Sequence, residues 1–97
     1  MPAFVLLMNI TAKGAADIKA APARIEEGIN AFEAMGGTMH SFHVTMGTYD
    51  YVAVGEAPSD EVAAAFAMAL TSQGNVTTTS LRAFSRDEFA ALAGKLP

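Results

Sequence analysis

The chain has no cysteine, which excludes disulfides, thiolate nucleophiles and cysteine-ligated zinc or iron–sulfur centres and leaves stability to packing. It is also short of cations, with six Lys and Arg against ten Asp and Glu for a net charge of -4. Those six are scattered, and phosphate binding needs clustered positive charge, so nucleic acid is not an expected partner. No apolar run approaches the ~20 residues of a membrane-spanning helix. The opening MPAFVLLMNITAKG has no basic stretch ahead of its short apolar run and does not read as a signal peptide. No low-complexity block or solenoid-length repeat appears, beyond alanine enrichment in the helical segments. The expectation is a soluble cytoplasmic protein, folded nearly end to end, with no membrane or nucleic-acid partner.

What the chain does have is apolar side chains, 52% of its 97 residues. That length makes one domain, residues 1–97, with no room for a second core. A domain this small has a thin interior and much surface. Excess apolar residues therefore predict a homo-oligomer, a dimer or larger.

Hydrophobic periodicity divides the chain into elements. Ala3 to Thr11 reads as a strand with Phe4, Leu6, Met8 and Ile10 on one face and Val5 and Leu7 on the other, hence a central strand covered twice. Ala12 to Ala21, of helical composition but interrupted by Gly14 and followed by Pro22, reads as a loop with room for a helical turn. A helix begins at Pro22, a residue suited to the first turn, carries Ile25, Ile29, Phe32 and Met35 at helical spacing with Arg24, Glu26 and Glu27 on its other side, and ends at Gly36 and Gly37. Thr38 to Met46 and Tyr49 to Glu56 alternate as two strands, and Gly47 and Thr48 between them predict a tight hairpin. Ser59 caps a helix that runs to about Ser72 with Val62, Ala65, Phe66, Ala69 and Leu70 inward. Gly74 and Asn75 turn the chain into a strand from Val76 to Phe84. Ser85 to Glu88 is a capping-box pattern that opens a short last helix burying Phe89 and Leu92, with Leu96 as its next apolar position.

The order strand, helix, strand, strand, helix, strand, helix predicts an α+β fold: a ferredoxin-like βαββαβ antiparallel sheet with helices on one face and a short C-terminal helix. In that topology the end of strand one, the hairpin between strands two and three, and the start of strand four lie on one edge of the sheet. Thr11 to Asp17, Gly47 to Asp50, and Gly74 to Thr77 are thus expected to be neighbours.

That edge gathers the candidate residues. Tyr49 and Asp50 admit two readings. As structural residues, Asp50 accepts backbone N–H bonds in the turn and Tyr49 packs its ring over the sheet edge. As functional residues, they pair a carboxylate base or ligand anchor with a phenol donor, next to Asn75, Thr11 and Lys13. His40 and His43 are three apart, and on a regular strand that odd spacing sends them to opposite faces, against a shared metal; no metal site is expected. His43 remains a candidate on the open face with Ser41 and Thr45, and Arg82 with Thr78 and Ser80 is expected on a corresponding stripe of strand four. The six methionines are spread over separate elements and read as flexible core filler. No phosphate-binding loop or hydrolase elbow is present, and no pattern identifies a cofactor.

The segments MGTYDYVAVGEAP and SQGNVTTTSLRAFSRDEF resemble the GYD domain family, a resemblance extending from about Phe4 to Phe89. It is carried by Gly47, Tyr49 and Asp50 as a G-x-Y-D pattern with Thr48 interposed, by Glu56, Ala57 and Pro58, and by Gly74, Asn75 and Val76. It implies a ferredoxin-like α+β domain and supplies no biochemical role. By analogy at the level of fold, such domains often pair their open sheet faces. Three readings of function follow. The first is a homo-oligomer that binds a small molecule or metabolite at the sheet rim or subunit interface through Tyr49, Asp50, Asn75, Thr11 and Arg82. The second is a cofactor-free enzyme moving a proton with Asp50 or His43, aided by Tyr49 or Arg82. The third is a regulatory or scaffolding module without a ligand.

Overall fold

A computed structural model describes the chain from Met1 to Pro97. Four strands, β1 (Ala3–Ile10), β2 (Thr38–Val44), β3 (Tyr51–Glu56) and β4 (Val76–Ala83), form one sheet in the order β2-β3-β1-β4. Every neighbouring pair is antiparallel. Helices α2 (Ala21–Ala34) and α3 (Asp60–Ser72) supply the crossovers, and α4 (Arg86–Ala93) ends the chain. This is the ferredoxin-like α+β arrangement, with β1 central.

The strand period of two sorts β1 cleanly: Phe4, Leu6 and Met8 are buried beneath the helices with Tyr51 and Ala53 of β3. Phe32 of α2 and Phe66 of α3 meet over them, their rings 4.8 Å apart and tilted by 43°, a favourable aromatic geometry. The other face carries Val5 and Leu7, paired with Val54 and Val52 on one side and with Leu81 and Thr79 on the other. No helix covers that face, so β1 is covered once and not twice within the chain. Only twelve residues are buried, the consequence of having one covered face.

Four local expectations need correction. The 12–21 segment is more ordered than a loop: Thr11 caps α1 (Ala12–Ala16), and a 3₁₀ turn over Ile18–Ala20 leads into α2. Thr11 Oγ1 accepts from the Gly14 N–H, and that cap rescues a stretch whose glycine weakens its helical propensity. The β2–β3 connection is not a tight hairpin but the wider loop 45–50, closed by Thr45 N–H to the Asp50 carbonyl at 2.8 Å and by Thr45 Oγ1 to the Tyr49 carbonyl at 2.5 Å. On α3 the inward set is Val62, Ala63, Phe66 and Leu70, whereas Ala65 and Ala69 are exposed; alanine carries too little apolar area to pin a helix's rotation. Met35, at the end of α2, is exposed as well.

The last helix departs furthest. Its capping box is complete, with Ser85 N–H to Glu88 Oε1 at 2.9 Å and Glu88 N–H to Ser85 Oγ at 3.0 Å. Yet α4 buries nothing: Phe89 is 68% and Leu96 74% exposed, and Leu92 is exposed too. The helix extends from the body, and the radius of gyration is 14.7 Å where a compact chain of this length has roughly 13 Å. No helix is long and apolar enough to cross a membrane.

Candidate functional site

The three segments expected at one sheet edge do converge. Thr11 N–H donates to the Asn75 carbonyl at 3.0 Å and Thr11 Oγ1 to the Gly74 carbonyl at 2.6 Å, tying the end of β1 to the turn before β4. Lys13 Nζ adds a bond to the Gln73 carbonyl at 2.7 Å. From the other side, Asp50 N–H donates to the Met8 carbonyl at 2.9 Å and Asp50 Oδ2 accepts from Ile10 N–H at 2.8 Å. The carboxylate thus extends the β1–β3 ladder one rung past the point where the loop's backbone has turned away.

Beneath this edge, between the covered sheet face and the two crossover helices, lies a cavity of about 70 Å³. Its walls are apolar, among them Leu6, Met8, Ile25, Phe66 and Leu70, with Met39 and Phe42 from β2. Four polar side chains join that lining: Arg24, Tyr51, Gln73 and Asn75. Arg24 is held by backbone oxygens, Nη1 donating to the Asp17 carbonyl at 2.9 Å and Nη2 to the Gly14 carbonyl at 3.2 Å, with the Asp17 carboxylate 3.9 Å away. Its side chain is 26% exposed, and the residue belongs to the cavity lining. Gly28, in the middle of α2, also lines the space; its missing side chain helps to leave it open.

Residues 4–93 match the family model of the GYD domain. The chain belongs to the GYD domain family. No curated protein matches it significantly. The G-x-Y-D residues of this GYD domain lie in the 45–50 loop. Gly47 has φ +117° with open space around it, a backbone conformation that favours glycine. Asp50 is bound into the ladder, and Tyr49 is half-buried beside it.

Of the residues singled out from sequence, Asn75 alone lines the cavity; Thr11, Tyr49 and Asp50 stand at the same end of the sheet. Arg82 does not join them. It pairs opposite Phe4 at the far end of β1, roughly 20 Å along the strand from Ile10. There its guanidinium lies 4.7 Å from the Phe84 ring centroid and 5.8 Å from that of Phe4, and it bonds the Ala3 and Ala83 carbonyls. Its stripe with Thr78 and Ser80 faces the helices, since these residues pair with Phe4, Met8 and Leu6; His43 pairs with Val52 on the open face.

The histidines also correct the expectation. The register of β2 shifts between Met39 and Ser41, a bulge that changes strand parity. Met39 therefore packs toward the core with Phe42, and His40 turns to the open face, its Nε2 lying 3.5 Å from Glu56 Oε2. His40 and His43 thus share a face, although no group of three or more His, Asp or Glu is placed to hold a metal ion.

Arg24, Tyr51, Gln73 and Gly28 were not singled out from sequence. One signal was present: Ala21, Ile25, Gly28 and Phe32 follow helical spacing, and a glycine at an inward position of a helix marks missing volume. Arg24 was placed on the outer face because the ordering of α1 beside the start of α2 was not anticipated.

Proposed function

We propose that this GYD domain is a homo-oligomeric binding protein that takes a small, largely apolar molecule at the rim of its sheet, in the cavity under α2 and α3. The observation that carries this reading is the cavity's make-up, mostly apolar residues with Arg24, Gln73 and Asn75 among them, the composition that small-molecule sites share. The placement of Arg82 at the other end of β1 from Asp50, and the engagement of the Asp50 carboxylate by the Ile10 N–H, favour binding over proton-transfer catalysis, because such catalysis needs its groups within hydrogen-bond reach of one substrate. The oligomeric part rests on the uncovered Val5, Leu7, Val52 and Val54 of the open sheet face and on the exposed apolar side of α4.

Native mass spectrometry of the gently purified protein, repeated after denaturation, tests both parts together. The expected result is an oligomer carrying a small mass that is lost on denaturation. Gly28→Leu, which fills the cavity, should abolish that mass and leave the subunit number unchanged. A retained mass unaffected by Gly28→Leu would place the ligand elsewhere, and a monomer would overturn the oligomeric part.

A further inference from the structure

We infer that the cavity selects a small apolar monocarboxylate, its hydrocarbon part among Ile25, Phe66 and Leu70 and its carboxylate on Arg24. The inference rests on the proposed site and adds the ligand's chemical class.

The chemistry of the polar lining carries it. A guanidinium has five N–H donors, and the bonds to the Asp17 and Gly14 carbonyls use two of them. Those two bonds hold the planar group in place, and Arg24 remains part of the cavity lining with donors to spare. A held guanidinium with free donors matches a carboxylate, which can accept two parallel hydrogen bonds. Gln73 and Asn75, which share the lining, add amide N–H donors. Its only carboxylate neighbour within ion-pair distance, Asp17 Oδ2, is 3.9 Å away and 76% exposed, too far for a hydrogen bond and screened by water. The lining holds no carboxylate and no cation besides Arg24, so a dicarboxylate or a zwitterion would bury a charge without an ion partner. The small volume limits the hydrocarbon part to a short chain or a compact ring, with Met8 and Met39 able to adapt to its shape.

The test compares straight-chain carboxylates from butyrate to octanoate with the primary amide of each, by calorimetry on the intact protein. The carboxylates should bind roughly tenfold or more tightly than their amides, the value of one charge-assisted hydrogen bond. Arg24→Gln should erase that preference, and Arg24→Lys should keep part of it. Asp17→Asn leaves the backbone carbonyl that positions Arg24 and removes only a distant, solvent-screened carboxylate, so it should keep the preference for carboxylates over amides. A lost preference in Asp17→Asn as well as in Arg24→Gln would trace the effect to the structure of this segment and overturn the assignment. Amides and carboxylates that bind equally, and are both blocked by Gly28→Leu, would overturn the carboxylate assignment while the site stands. Failure of every probe of both kinds would overturn the assignment together with the site.

Discussion

Asp50 and Ile10 are joined by a side-chain rung, with Oδ2 of the aspartate 2.8 Å from the amide nitrogen of Ile10. The loop that holds Asp50 has left the sheet, and without the carboxylate the partly buried Ile10 N–H would have no acceptor. Asp50→Ala is expected to cost about 1–3 kcal/mol, the cost of an unmade hydrogen bond at such a site. Asp50→Asn keeps an oxygen in the same place and should lose less. Urea titrations of the two variants measure the difference. Because Asp50 does not line the cavity, ligand affinity should stay constant in Asp50→Asn; a loss of binding without loss of stability would give the aspartate a direct ligand role.

Two glycines predict opposite outcomes for the same substitution. A Cβ at Gly14 would lie 2.4 Å from the Asn75 carbonyl oxygen, a backbone atom fixed by the Thr11 bond. Gly14→Ala should therefore destabilise by about 1–3 kcal/mol through forced separation of α1 from the start of β4. At Gly28 the nearest atom to an added Cβ is Leu70 Cδ2 at 3.9 Å, ordinary contact distance. Gly28→Ala should stabilise by up to about 1 kcal/mol, the helix propensity difference between the two residues. Thermal unfolding in the absence of ligand reads both. A cavity kept open at the expense of helix stability is the pattern a binding site produces.

The sheet and its order were legible because β1 is a short continuous apolar run of strand length and because glycine, proline and capping residues punctuate the chain between elements. Convergence of Thr11, Asp50 and Asn75 followed from topology alone. The cavity was not legible, since it depends on how α2 and α3 pack over the sheet, and the missing side chain at Gly28 was its one trace in the helical spacing. The bulge in β2 was equally silent: His40 and His43 change from opposite faces to one face through a single register shift that no residue type there demands. On α4 the apolar pattern was read correctly, but burial was assigned within the chain when the helix extends away from it.

Acid should loosen α4 before the body of the domain. The Ser85 backbone N–H, the main cause, holds the Glu88 carboxyl below its ordinary value of 4.5 against an opposing desolvation, with Ser85 Oγ and the charge of Arg82 adding smaller effects in the same lowering direction. A carboxyl whose value is lowered in the folded state adds stability that is present above the unfolded value and disappears as pH falls through the folded one. Amide exchange at Phe89 and Gly94, whose N–H groups bond the Ser85 and Ala90 carbonyls, should quicken relative to the sheet as pH drops from neutral to about 3. In Glu88→Gln the same amides should be less protected at neutral pH and change less on acidification.

The open sheet face and α4 predict one another's role in assembly. Four strands about 4.8 Å apart and some six residues of common length make a face of roughly 400 Å², whereas a stable interface takes about 800 Å² from each partner. The sheet face alone falls short, and the apolar side of α4 can supply the remainder. Phe89, Leu92 and Leu96 are three and four apart, on one side of a helix that is capped at its start and continues as a turn to Leu96. An eight-residue helix is too short to be stable by itself in water, so the capping box secures a helix whose apolar side has no partner in its own chain. If a second copy covers the sheet face, its α4 is the element placed to extend the contact. Leu7→Asp on the sheet and Phe89→Asp on the helix should each shift the protein toward monomer by light scattering, with Leu7→Asp the more severe because it puts a charge at the centre of the face. Glu61→Gln, a change of charge of the same size on the exposed side of α3, should leave the assembly intact. Retention of the oligomer in Phe89→Asp but not in Leu7→Asp would confine the contact to the sheet and detach α4 from it.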